Sequence, residues 1–363
     1  MPERTDEGTP TDGGVPVRTR WVLHVDLDQF IAAVEVLRRP ELAGLPVVVG
    51  GRGDPTERGV VATASYEARE HGVGSGMPLR TAARKCPDAV FLPVDAPEYD
   101  AASARVMDTL RSFGVPVEVL GWDEAFLGVD TGDPLTFARE VRAAVLDATH
   151  LHCSVGIGDN KLRAKIATEF GKPRGSFVLT DDNWFEVMGE RPTDALWGIG
   201  RKTAKKLADL GITTVAQLAA ADAAELAGRL GPTMGPWYRR LGRGVDTSPV
   251  DPTPYVPRGH GRETTFQQDL TDPVEVDREA ERLARRVLED VRAEGRPAVR
   301  VGVKLRYAPF LTTTRSLTLT ESTYDEGPVV AAVRELLGRL DLDRPVRLLG
   351  VRLEMAPPGE PDP

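Results

Sequence analysis

Three carboxylates in two short stretches carry the chemistry open to this sequence. The first stretch is VLHVDLDQFIAAVE, residues 22–35, in which Asp26 and Asp28 interrupt what otherwise reads as a buried strand. The second is VEVLGWDEAFLGVD, residues 117–130, where Asp123 and Glu124 lie between two apolar runs. That pattern predicts a hairpin with adjacent acids at its turn or bulge. Placed beside a strand that ends in Asp26, the hairpin gathers three carboxylates at one sheet edge, where they repel one another unless a cation joins them. Oxygen-only ligation suits Mg²⁺ or Mn²⁺, with substrate phosphates completing the shell. Asp26 alone would be unremarkable, since an isolated D-x-D is common. The pairing with Asp123-Glu124 favours a two-metal phosphoryl-transfer site. Asp28 is read differently, as the N-cap of a helix over Gln29–Arg38.

Cationic and hydroxyl groups with phosphate-binding spacing accompany the acids. Thr63 at a strand end, then Tyr66 and Arg69 three apart on one helical face, present donors to a phosphate. Lys165 lies one turn after Lys161 on a helix expected over Asn160–Phe170; the alternative is a solvated lysine pair. Gly198-Ile199-Gly200, followed by Arg201, Lys202, Lys205 and Lys206, offers main-chain amides at a helix start, which can hold a phosphate without reading sequence. The same residues also fit a plain turn into a helix.

The elements that must position these groups follow from apolar periodicity. Strands are expected at Val22–Asp26, Pro46–Val49, Gly59–Thr63, Val117–Leu120, Ala125–Val129, Cys153–Gly158 and Phe177–Leu179. Helices are expected at Phe30–Arg38, Ser65–His71, Leu79–Lys85, Pro97–Phe113, Pro134–Thr149 and Asn160–Phe170. Residues 183–247 read as nearly all helical. SPVDPTPYVP, with four prolines in ten residues, reads as an extended linker. Beyond it, strand-like runs at Ala298–Arg306, Leu311–Thr320 and Arg347–Glu354 flank helical patterns at Pro273–Ala293 and Val329–Leu340, which suggests a small α+β domain on a four-stranded sheet.

Composition sets the bounds. A chain of 363 residues is expected to form two to four compact units. Residues 1–19 read as a disordered leader and residues 357–363 as a disordered tail. No apolar run reaches membrane-spanning length, so no membrane association is expected. Cys86 and Cys153 are far apart, which fits a reducing cytoplasm and no disulfide framework. The five histidines make no zinc spacing with them. The net charge of −9 weighs against nucleic-acid binding, yet residues 257–356 hold 17 basic and 17 acidic residues. The location of the positive face matters more than the total.

VDLDQFIAAVE, VATASYEAREHGVGSGMP, DEAFL, VGIGDNKLRAKIA, LWGIG and GRETTF together, in this order, resemble the Y-family DNA polymerases, most closely the DinB or DNA polymerase IV type. The resemblance covers Trp21 to Met355. It implies an α+β multidomain right-hand polymerase. The palm would be residues 20–28 and 92–182, the fingers 29–91, the helix-hairpin-helix thumb 183–247, the linker 248–255 and the little finger 256–356. It implies error-prone, template-directed synthesis on damaged templates by a monomer acting on primer-template DNA and dNTPs. Asp26, Asp123, Glu124 and the Leu27 carbonyl would hold two Mg²⁺ ions, or Mn²⁺. Leu27, Phe30, Ile31, Thr63, Tyr66, Arg69 and Lys165 would line the nucleotide, and Gly198, Gly200, Lys202, Lys304, Arg306 and Arg315 would meet DNA. Which face of the little-finger sheet the last three occupy is open. A nucleotidyl transferase or cyclase on the same palm, and a non-catalytic DNA-binding adaptor, are the alternatives; the first needs no helix-hairpin-helix or little finger, and the second would have lost an acid or Lys165.

Three departures stand out. Ile31 occupies the position where the family usually has Phe or Tyr as a steric gate against a ribose 2′-hydroxyl, so weak sugar discrimination and use of rNTPs are expected. Gly121-Trp122 replaces the usual Ser-Ile or Ser-Leu before the paired acids. The ending APPGEPDP lacks apolar residues for a sliding clamp, so clamp binding through it is not expected.

Overall fold

The computed structural model describes residues 20–359; the expected leader and the last four residues of the expected tail lie outside the described residues. In chain order the elements are β1 (Trp21–Leu27), α1 (Phe30–Arg38), β2 (Val47–Val49), β3 (Thr63–Ala64), α2 (Tyr66–Glu70), α3 (Leu79–Lys85), β4 (Val90–Leu92) and α4 (Ala96–Arg111). There follow β5 (Val117–Val119), β6 (Glu124–Val129), α5 (Pro134–Thr149), β7 (Cys153–Gly158), α6 (Lys161–Gly171), β8 (Ser176–Leu179) and α7 (Trp184–Met188). Next come the short helices α8 (Arg201–Ala208), α9 (Val215–Ala220), α10 (Ala223–Leu230) and α11 (Met234–Gly242). The chain then forms β9 (Gly259–Leu270), α12 (Pro273–Glu294), β10 (Ala298–Tyr307), β11 (Thr312–Thr323), α13 (Glu326–Leu337) and β12 (Val346–Met355).

Most expected elements are present, and the differences have local causes. The strand expected over Gly59–Thr63 shrinks to Thr63–Ala64, because Val60 makes only an isolated bridge to Pro78. β4, α7 and β9 carry weaker patterns: β9 is half-exposed along its length, so it lacks a long apolar signature. SPVDPTPYVP has no regular structure except at Val250, which is buried in a cluster with Val22, Phe126 and Ala164.

The described residues divide into two compact units, 20–49 with Thr63–Gly72 and Val94–Pro254, and Gly50–Ala62 with Val73–Pro93 and 255–359. The first is built on a five-stranded sheet of order β5-β6-β1-β7-β8, with β1 central and antiparallel to both neighbours. Leu23, Val25 and Leu27 alternate with Val22, His24 and Asp26, so the two sets face opposite sides of the sheet. Helix α6 covers the side that carries His24, to which Thr168 is hydrogen bonded. It lies so close that a Cβ at Gly156 would overlap the Ala164 carbonyl oxygen and the Thr168 amide. At Gly158 a Cβ would stand 2.5 Å from the Ala164 nitrogen. The glycines of VGIG are therefore the seat of the helix that presents Lys165. In the second unit, α12 and α13 pack on one face of the sheet β11-β10-β12-β9 around Val301, Val303, Leu305, Val351 and Leu353.

Replacing Gly156 by Ala is expected to lower stability by about 3 kcal/mol or more, because strand or helix backbone must move. Gly121→Ala, where a Cβ meets its nearest atoms at 3.9 Å, is expected to stay within about 0.5 kcal/mol. Urea unfolding of the two variants checks the contrast.

Candidate active site

The sheet register brings the acids together. Asp26 is the cross-strand partner of Glu124, and the Leu27 amide donates to the Asp123 carbonyl at 2.9 Å. Between β5 and β6 the chain turns through residues 120–123, closed by the Leu120 amide donating to the Glu124 carbonyl at 3.0 Å. The expected hairpin, with its acids at the turn, is present. His24 shares the face of Asp26, and one ligand atom each from His24, Asp26 and Glu124 lie within 4.8 Å of one another.

Three cationic or donor groups answer these acids. Lys172 Nζ is 3.0 Å from Asp26 Oδ1, and Lys165 forms an ion pair with Glu124. His24 Nε2 lies 3.1 Å from Glu124 Oε2, while its Nδ1 is 2.8 Å from the Thr168 hydroxyl. Burial holds the His24 pKa below its ordinary value. Its Nε2, also 3.2 Å from Lys165 Nζ, forms the hydrogen bond between His24 and the Glu124 carboxylate, and its Nδ1 forms the one to Thr168. The hydrogen bond with His24 is the main reason why the Glu124 pKa is lowered to about 2, with Lys165 adding to it against partial burial. Its neighbours move the other way: burial pushes Asp26 up against the pull of Lys172, and burial plus the Glu124 charge pushes Asp123 up. The donor set is rich in hard carboxylate oxygen and already draws two lysines to it, which fits an oxygen-coordinated divalent cation. A hydrogen bond between His24 and Glu124 is the kind of outer contact that would orient a carboxylate toward a cation.

Asp28 is not the helix N-cap. That position belongs to Gln29, whose backbone is left-handed and whose side chain makes no cap. Asp28 is instead buried and accepts from the Ser154 hydroxyl at 2.8 Å, the Tyr66 hydroxyl at 3.1 Å and the Arg174 amide at 2.8 Å. Three donors from distant elements take up the carboxylate oxygens that a helix end would otherwise claim. Gln29 contributes too, accepting from the Tyr66 amide through Oε1 at 2.5 Å. Together they tie α1, which carries Phe30 and Ile31, to α2, which carries Tyr66 and Arg69. Phe30 and Ile31 are both buried, Ile31 less so at 9 % exposure against 2 %. The Arg69 guanidinium stacks 5.1 Å from the Tyr66 ring centroid, and burial together with Asp28 pushes the Tyr66 pKa up to about 12. Thr63 opens β3, paired with Val49.

The lysine pair on α6 is not solvated: Lys161 is buried against Glu118, and Lys165 Nζ lies 5.5 Å from the Trp197 ring centroid. Gly198 has φ +97, and a Cβ there would strike Trp237. Gly200 is the N-cap of α8, with Lys202 exposed in its first turn. In the second unit, Lys304 and Arg306 share the helix-free sheet face, where Lys304 pairs with Glu263 at 2.7 Å. Arg315 is the cross-strand partner of Val303 and so belongs to the opposite face. That face is also where α12 and α13 pack, although Arg315 itself is exposed. A cleft of about 1040 Å³ in this unit is lined by Arg52, Arg58, Arg80, Arg306 and Arg347.

Two site residues escaped the sequence reading. His24 had a usable signal, since it alternates with Asp26 along one strand and must share its face. Lys172 had none, because its approach to Asp26 depends on the turn between α6 and β8.

Comparison with known proteins bears on all of this. The impB/mucB/samB family matches residues 25–169, its C-terminal domain matches residues 257–361, and a SAM-like helix-hairpin-helix tandem matches residues 195–231. The DNA polymerase IV 2 of Mycobacterium tuberculosis (strain ATCC 25618 / H37Rv) is 53% identical over 341 residues, spanning 93% of this chain and 98% of that one. The DNA polymerase IV of Methanoculleus marisnigri is 41% identical over 344 residues, 93% of this chain and 94% of its own. Among solved structures, a Y-family DNA polymerase chimera of Dbh and Dpo4 superposes with a TM-score of 0.82 at 28% identity, covering 92% of this chain and 98% of that one. An insertion ternary complex of Dbh DNA polymerase gives 0.63 at 28% identity over the same shares.

Glu124→Gln in the metal-free protein is expected to cost about 1–2 kcal/mol at pH 7, after allowance for solvent screening of a partly exposed ion pair. A carboxylate depressed in the fold stabilises above its unfolded value and loses that contribution as pH falls. The gap between wild type and Glu124→Gln should therefore close between pH 4.5 and about 2. Urea midpoints against pH measure it; a gap that widens on acidification contradicts the assignment.

Proposed function

The chain belongs to the impB/mucB/samB family of Y-family DNA polymerases, and from that premise we propose how its residues divide the work of synthesis. It is a DNA polymerase of the DNA polymerase IV type, a translesion enzyme that extends a primer along a DNA template. The observation that carries the reading at the level of residues is the register of Asp26 against Glu124, with Asp123 tied to Leu27. Asp26, Asp123, Glu124 and the Leu27 carbonyl would hold two divalent ions. When bound, such ions make the primer 3′-hydroxyl more acidic and neutralise the triphosphate and leaving pyrophosphate.

The protein's own groups do the rest. His24 fixes the rotamer of Glu124. Lys165 and Lys172 neutralise Glu124 and Asp26 here, and with a divalent ion held by those carboxylates the two ammonium groups would be available to the triphosphate. Tyr66 and Arg69, held by Asp28 and Gln29, and Thr63 beside them supply further donors to the phosphates. Residues 20–28 with 92–182 form the palm, 29–91 the fingers, 183–247 the thumb and 256–356 the little finger. The Gly198–Gly200 turn with Lys202, the Lys304–Arg306 face and the arginine-lined cleft bind DNA phosphates, which reconciles the acidic total charge with a nucleic-acid substrate. Ile31 walls the sugar pocket. Its aliphatic side chain has no flat ring to oppose a 2′-hydroxyl, so rNTPs are accepted alongside dNTPs.

Two measurements test this reading. Primer extension by Glu124→Ala should fall by at least about a thousandfold, the loss expected for several kcal/mol of charge stabilisation at the reacting phosphate. Single-turnover incorporation of matched dNTP and rNTP should show Ile31→Phe raising the preference for deoxyribose by about tenfold or more, equivalent to ~1.4 kcal/mol. Equal selectivity in wild type and Ile31→Phe would remove Ile31 from the sugar pocket.

A further inference from the structure

We propose that Trp122 is a positioning residue for Asp123, acting through a hydrogen bond to Asp100 on α4; the proposal rests on the active-site reading above. The turn that bears Asp123 is held by main-chain bonds alone on the sheet side, the Leu27 amide to the Asp123 carbonyl and the Leu120 amide to the Glu124 carbonyl. Gly121 leaves the other side without a side-chain contact: a Cβ there would meet only Asp123 Oδ1 and Glu124 Cγ at 3.9 Å. Trp122 supplies a side-chain tie toward α4. Its indole N–H donates to Asp100 Oδ1 at 2.7 Å, a charge-assisted bond, and its ring meets Tyr99 edge-on with centroids 6.0 Å apart.

The surface that Trp122 leans on is rigid. Tyr99 is fully buried and donates to Glu35 Oε1 at 2.6 Å, and Glu35, itself buried on α1, forms ion pairs with Arg38 and Arg39. A column of contacts thus runs from the acidic turn through α4 to the helix that carries Ile31. The tie matters because Asp123 and Glu124 are adjacent and like-charged. Without ligands between them, the turn relieves their repulsion by swinging residue 123 outward, unless something holds residue 122. Trp122, 38 % exposed, is therefore an anchor whose apolar ring and polar N–H are both used.

The experiment uses the full-length protein with Asp100→Ala, Asp100→Asn and Trp122→Phe. Mn²⁺ binding is followed by electron paramagnetic resonance without DNA, and the Mg²⁺ midpoint of primer extension is measured beside it. Asp100→Ala should weaken Mn²⁺ binding roughly tenfold and raise the Mg²⁺ midpoint by a similar factor, the usual cost of losing a contact behind a metal ligand. Extension should recover at saturating Mg²⁺ with an unchanged KM for dNTP, and the melting temperature should hold. Asp100→Asn, which keeps the acceptor oxygen, should restore wild-type metal binding, and Trp122→Phe should resemble Asp100→Ala. Wild-type Mn²⁺ affinity and Mg²⁺ midpoint in Asp100→Ala overturn the role of Trp122. Asp123→Asn separates the two layers of inference: if it too binds Mn²⁺ and extends primer like wild type, the active-site reading itself has failed.

Discussion

Repulsion among carboxylates at one end of a central strand is the constraint to which the rest of this site responds. Asp26 and Glu124 are cross-strand partners, and Asp123 precedes Glu124 on the same turn. In a partly buried setting such a group costs free energy unless cations or donors lie within reach. Lys172, Lys165 and His24 meet that need at once, the two lysines from α6 and its C-cap and the histidine from β1 itself. The opposite pKa shifts of Glu124 and its two acidic neighbours record how unevenly the relief is shared.

Packing makes this arrangement possible. Lys165 reaches Glu124 because α6 rests directly on the strand β7, and it can do so because Gly156 and Gly158 carry no side chains. Thr168, on the same helix, meets His24 and so sets the ring that holds Glu124. A helix one side chain farther out would leave the imidazole and the carboxylate without partners. Close backbone approach and charge neutralisation are in this sense one feature seen from two sides.

A second buried acid organises the helices beside the carboxylates. Asp28 takes three donors from β7, α2 and the turn after α6, so the helix with Ile31 and the helix with Tyr66 and Arg69 are referred to the same carboxylate, which follows β1 directly. Asp26 and Asp28, two residues apart on the chain, thereby do different work: one faces the cations, the other holds the walls.

The sequence by itself determined the parts that depend on local periodicity and on residue type. Alternation placed β1, β6 and β7 correctly, helices α1, α3 and α5 match their expected spans, and the adjacent acids of residues 123–124 announced a hairpin because strands flank them closely. The basic strand residues were legible as candidates, but not their faces: the register puts Lys304 and Arg306 on one side and Arg315 on the other. Tertiary structure alone decided the fate of Asp28, whose side chain had a nearby helix end and distant donors to choose between. It also decided the partners of Lys172 and Trp122, which lie 146 and 22 positions away along the chain. Local pattern reports the free energy of neighbours in sequence; which distant charge or donor a side chain meets is fixed only when whole elements pack.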